Sequence, residues 1–198
     1  MKKVKVLLAT VLVISLCLAP ISASAASKKE IKNVQTTVKK FYNAAKVYNA
    51  PRMKSCFVNP SDMKVFIENK EMAKFCRKQN KKLKYSIRST KVKGKNATVK
   101  VRCTYANAYK HIYYACGDVI SYNLLYPQCT PEGLRRYQYE RVLVNIDDLG
   151  IDSNTKTITL NLKKVKGKWK ISNATRKIMD SVNCNYESAY QDYFAEYD

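Results

Sequence analysis

The one histidine is the first place to look for chemistry. His111 lies in the run Tyr109-Lys110-His111-Ile112-Tyr113-Tyr114. Imidazole is the side chain whose ordinary pKa falls in the physiological range, so acid–base catalysis would centre on it. Cys116 follows five residues later, and positions i and i+5 do not share a helical face, which disfavours a Cys–His nucleophilic pair. A lone histidine among tyrosines reads more simply as a partly buried structural residue. Asp147, Asp148 and Asp152 offer carboxylates. Their spacing lacks the alternation of a calcium loop, so they read as a solvated acidic turn. The sequence has no glycine-rich phosphate loop and no C-x-x-C. No catalytic constellation, metal set or cofactor motif emerges, and a non-enzymatic role is the expectation.

Tyrosine and cysteine are the other residue types that stand out. Of the 15 tyrosines, Tyr85, Tyr105, Tyr109 and Tyr113, with Tyr122 and His111, are candidates to line a pocket or stack on a sugar. The same rings also suit the edge of a core. Six cysteines follow the first 25 residues: Cys56, Cys76, Cys103, Cys116, Cys129 and Cys184. An even count in an exported protein reads as a disulfide framework. Cys116 and Cys129 flank the loop-like CGDVISYNLLYPQC and are the expected local pair, a closure typically worth ~3 kcal/mol. Cys56 or Cys76 is a plausible partner for Cys184. Cys76 and Cys103 also fall on apolar faces and read equally as reduced core residues.

Export is inferred from the N-terminus. Lys2, Lys3 and Lys5 precede an uncharged run from Val6 to Ala19, and Ala23-Ser24-Ala25 supplies small residues for cleavage. A span needs ~20 apolar residues, so this run reads as a signal-peptide core. Residues 1–25 are therefore expected to leave, and 26–198 to be one exported domain, secreted or envelope-associated, with no membrane span of its own.

Charge is the strongest compositional signal. After residue 25, 34 Lys/Arg stand against 15 Asp/Glu, a net +19. Residues 26–110 hold 23 basic and 4 acidic residues, whereas 111–198 hold 11 of each. Such asymmetry points to polyanionic partners, with bulk solubility as the plain alternative.

Those residues need elements to place them. Ile31, Val34, Val38, Phe41, Ala45 and Tyr48 step by three and four, which predicts a helix over 28–48 ended by Asn49-Ala50-Pro51. Asn59-Pro60-Ser61 predicts the start of a second, with Met63, Phe66, Ile67, Met72, Phe75 and Cys76 on its buried side. Period two then takes over. Leu83, Tyr85 and Ile87 alternate with Lys82, Lys84, Ser86 and Arg88. After Lys93-Gly94-Lys95-Asn96, the row Ala97 to Tyr105 alternates with Thr98, Lys100, Arg102 and Thr104, giving an antiparallel hairpin with one basic face. A second hairpin is expected from Ile158, Leu160 and Leu162, through Lys166-Gly167-Lys168, to Trp169-Lys170-Ile171. Residues 106–126 read as a Tyr-rich helix, Thr130-Pro131-Glu132 as a helix start, 134–146 as helix or strand, and 174–198 as an acidic C-terminal helix able to mask the basic sheet.

Two leading helices, VKKFYNAAKVYNAPRMKSCF among them, then hairpins ending TITLNLKKVKGKWKIS, resemble the small secreted bacterial members of the nuclear-transport-factor-two-like superfamily over about residues 28–173. The resemblance implies an α+β cone: two N-terminal helices packed on a curved antiparallel sheet, with a pocket. That superfamily hosts enzymes as well as binding modules, so it does not choose a function. If the hairpins pair, Lys82, Lys84, Arg88, Lys100, Arg102, Lys163 and Lys170 share a basic surface. No aromatics interleave with them, which disfavours nucleic acid. An anionic wall polymer or membrane surface is the expected partner, and a small-molecule pocket protein or cryptic enzyme the alternative.

Overall fold

The computed structural model describes residues 27–63 and 70–196; the expected leader, together with Phe66 and Ile67, lies outside them. The Ser27 hydroxyl accepts from the Glu30 backbone N–H at 3.2 Å and caps helix α1, Lys28–Lys46. Its buried stripe is Val34, Val38, Phe41, Tyr42, Ala44 and Ala45, the three-and-four spacing anticipated from sequence. Asn49, expected only as a stop, instead caps α2, Ala50–Lys54, by accepting from Arg52 N at 3.0 Å. The second expected helix does not begin at Pro60. Pro60–Met63 is a single 3-10 turn, and α3 runs Lys70–Gln79 with Met72, Phe75 and Cys76 buried.

Four strands form one antiparallel sheet in the order β1-β2-β3-β4: β1 Lys84–Lys93, β2 Asn96–Asn107, β3 Asp152–Val165 and β4 Lys168–Ile171. Both tight turns need left-handed backbone, supplied by Gly94 (φ 58°) and by Lys166 and Gly167 (φ 47° and 78°). Ala97, Val99 and Val101 stand opposite Leu162, Leu160 and Ile158, so the apolar rows of β2 and β3 face the same way. Helix α1 lies over that inner face. Gln35 donates to Thr90 Oγ1 at 3.2 Å, and the Thr37 hydroxyl donates to Trp169 O at 3.1 Å. Glu30 accepts from both Lys164 Nζ (2.7 Å) and Trp169 Nε1 (2.8 Å), locking the start of α1 to the β3–β4 turn. The Lys164 hydrogen bond, followed by that from Trp169, holds the Glu30 carboxyl below its ordinary range.

Between β2 and β3 the chain makes a helical hairpin, α4 (Tyr109–Leu125) and α5 (Pro131–Leu149). The Thr130 hydroxyl accepts from Gly133 N at 3.1 Å, so the expected cap forms, and 134–146 is helix throughout. The expected single C-terminal helix is two, α6 (Arg176–Asp180) and α7 (Tyr186–Ala195). They are separated by Cys184 and Asn185 in left-handed backbone. That break is fixed by buried side-chain amides. Asn80 Nδ2 donates to Ala45 O and Val182 O (3.0 and 2.7 Å), Tyr48 to Asn183 Oδ1 (2.8 Å), and Asn185 Nδ2 to Asn107 Oδ1 (2.8 Å). The architecture is α+β. Among the described residues, no helix is long and apolar enough to cross a membrane.

Candidate anion-binding surfaces

Register settles which cations share the outer sheet face. Lys84, Lys100, Arg102 and Lys163 pair with Thr104, Ser89, Ser86 and Lys170, all in the rows opposite the core. A bulge between Ile87 and Ser89 shifts the parity of β1. It leaves Arg88 in the irregularity and turns Lys91 and Lys93 outward beside Thr98 and Asn96. Strict alternation from Lys84 could not find those two lysines; the signal was Val92, whose apolar side chain is out of step with Tyr85 and Ile87. Lys82 precedes the sheet in the 3-10 turn Asn80–Lys82. Lys170 is on the face by register, but its ammonium reaches back to Ser55 O. Between the cations stand Ser86, Ser89, Thr98, Thr155, Thr157 and Thr159. No acidic side chain lies in these outward rows.

The described part of the acidic tail packs on α4 and α6 rather than on this face. Asp192 of α7 pairs with Arg176 and accepts from the Tyr109 hydroxyl at 3.1 Å, and Glu196 accepts from Tyr113. Asp192 and Glu196 are thus committed to α4 and α6, and Glu187 accepts from Gln191 within α7, which corrects, for the described residues, the masking expected from sequence. The Arg176 hydrogen bond lowers the Asp192 pKa.

A cavity of about 460 Å³ opens on the other side of the sheet, between β3, α6 and α7. Tyr105, Lys156, Ile158, Arg176, Lys177 and Asp180 form most of its wall. Asp180 is 4% exposed and accepts from Ser188 N at 2.9 Å and from the Ser188 hydroxyl. Burial pushes its pKa up against those hydrogen bonds.

The tyrosines expected to line one pocket are dispersed. Only Tyr105 reaches this cavity, donating to Asn185 Oδ1 at 3.2 Å. Tyr85 stacks on Tyr42 and donates to Asn43 Oδ1 at 2.8 Å on the far strand. Tyr109 and Tyr113 stack on each other along α4. Tyr122 stacks on Tyr137 with centroids 4.1 Å apart, near the free end of the hairpin. His111 is 5% exposed, its Nδ1 has no hydrogen-bond partner, and its own carbonyl accepts from Asn145 Nδ2 at 3.3 Å. Burial holds its pKa below the ordinary 6.5.

All six described thiols are free. The expected Cys116–Cys129 pair is not formed because the presumed loop is helix. Nine residues of α4 separate Cys116 from Leu125, roughly 13 Å of rise, well beyond the ~7 Å Cα separation a disulfide spans. Cys116 instead accepts from Gln138 Nε2 at 3.5 Å, and burial raises its pKa to about 11. Cys56 donates to Arg52 O within its own turn at 3.3 Å. Burial likewise raises Cys103 to about 11. Of the two partners weighed for Cys184, Cys76 is the one its thiol touches. Among the described residues, no three His, Cys, Asp or Glu side chains gather as a metal site.

Comparison with known proteins adds little to this geometry. No family model matches the chain, and no curated protein does. Membership of the nuclear-transport-factor-two-like superfamily is therefore not established. Among solved structures the chain aligns with a "putative lipoprotein" (YcdA) of Bacillus subtilis at 18% identity and a TM-score of 0.28. The alignment covers 84% of this chain and 46% of that one, so the chain spans about half the length of that protein.

Proposed function

We propose that the protein is a non-catalytic, exported module that binds anionic cell-envelope polymers through the outer face of its sheet. The observation that carries this reading is the collection of Lys84, Lys91, Lys93, Lys100, Arg102 and Lys163 on outward rows without an acid among them. Like charges packed at strand spacing repel one another. Such a face costs stability unless a polyanion neutralises it. Serine and threonine hydroxyls between the cations add hydrogen-bond donors suited to phosphate or carboxylate oxygens. The leader expected from sequence supports an envelope location, and the order of helices and hairpins keeps the nuclear-transport-factor-two-like cone as the working fold relationship. Base stacking is disfavoured because the outward rows carry no aromatic ring.

The test is retention of the purified protein on immobilised poly(glycerol phosphate) across a salt series. Retention falls steeply between low and physiological ionic strength as screening shortens to ~8 Å. The variant K84Q/K91Q/K100Q/R102Q loses it at every salt. Retention unchanged in that variant contradicts the proposal. Equal binding to vesicles of phosphatidylglycerol, with weak binding to the polymer, would assign the face to a membrane surface instead.

A further inference from the structure

Lys156 breaks the pattern of its strand. It stands opposite Cys103, in the inward row of β3 that continues as Ile158, Leu160 and Leu162, all three buried. Binary patterning calls for an apolar side chain there, and local departures from pattern concentrate at functional positions. Lys156 is tolerated because β4 pairs only with Leu162–Val165, which leaves this end of β3 without a strand on that side. The cavity of about 460 Å³ fills that gap, and Lys156 projects into its mouth.

Arg176 and Lys177 of α6 stand across from it. Arg176 is fixed: Nε donates to Ser188 Oγ and Nη2 to Ser188 O, each at 3.0 Å, and Asp192 pairs with it. Asp180 is fixed by the same Ser188. Lys156 and Lys177 make no ion pair among the described residues. The wall thus presents two uncommitted ammonium groups beside a held guanidinium, with one buried carboxylate at hand.

We infer that this cavity is a binding site for a small polyol phosphate, with Lys156 and Lys177 taking the phosphate and Asp180 taking a hydroxyl group. A phosphate dianion matches two free cations. The Asp180 oxygens retain lone pairs beyond those used by Ser188 and accept from a ligand hydroxyl. The volume lies in the range of small-molecule sites and far exceeds what one phosphate fills, leaving room for an attached polyol. The site lies on the opposite side of the sheet from the proposed polymer-binding face and does not depend on it.

Isothermal titration calorimetry of the purified protein at low salt, with glycerol 3-phosphate, inorganic phosphate and glycerol as separate titrants, tests the inference. Glycerol 3-phosphate binds saturably at one site, inorganic phosphate more weakly, and glycerol not at all. K156Q/K177Q weakens glycerol 3-phosphate at least about tenfold, the loss expected when charge-assisted hydrogen bonds are removed. Both side chains are exposed, so the ligand-free variant melts where the parent does. K32Q/K39Q, on the exposed side of α1, leaves the affinity unchanged. No saturable binding to the parent protein overturns the site, as does full affinity in K156Q/K177Q or an equal loss in K32Q/K39Q.

Discussion

The sheet with α1 and the hairpin α4–α5 are built on opposite plans. In the sheet, one face is fully buried, with Val99, Val101 and Leu160 at 0% exposure, and the other carries cations and hydroxyls. In the hairpin, α5 buries only Gln138 and Val142, and Leu124 and Leu125 near the end of α4 are 76% and 75% exposed. The difference locates both stability and excess charge in the sheet half. The hairpin adds little of either, since Arg141 is paired with Asp118 and Arg136 with Glu140.

The contrast breaks most visibly in the core. Leu160→Ala deletes a fully buried side chain at the centre of β3, and a loss of ~2–5 kcal/mol in chemical denaturation is expected. A loss near zero would mean that the inner face is not the core.

The next effect is pH dependence, and it belongs to the helical half. Burial depresses the His111 pKa in the folded state, so the unfolded chain binds the proton more tightly. His111 therefore contributes stability that is fully present above its ordinary 6.5 and is lost as pH falls from there through the folded pKa. His111→Gln should flatten the decline of the melting temperature between pH 7.5 and about 5. An unchanged slope would place the titration elsewhere, with Glu30 and Asp192, whose carboxyls are held below their ordinary range, the groups that lose stability toward the acid end.

The smallest effect is at the hairpin tip. Leu124→Ser with Leu125→Ser should change stability by within ~0.5 kcal/mol, because neither side chain is buried. A larger loss would show that the tip is covered in solution.

How much of this was legible in the sequence follows from the range of the forces involved. Local periodicity located α1, both hairpin turns and the Thr130 cap, since each depends on neighbours a few residues away. The C-terminal break was not legible, because Cys184 and Asn185 are held left-handed by contacts with Asn107, Tyr105 and Asn80 from distant elements. Lys91 and Lys93 were hidden by a single bulge, and the scatter of Tyr85, Tyr109 and Tyr122 by the helical insertion. The four cations Lys84, Lys100, Arg102 and Lys163 were found by alternation alone. The Lys156 cavity was not, because its mouth exists only where the short β4 ends.

Lysine footprinting tests the central claim most directly, by acetylating the protein with and without poly(glycerol phosphate) and reading each site by mass spectrometry. The account predicts protection of Lys84, Lys91, Lys93, Lys100 and Lys163 together, with Lys32, Lys39 and Lys40 on the exposed side of α1 unchanged. Protection of the α1 lysines with the sheet lysines still reactive would contradict it and move the polymer to the helix.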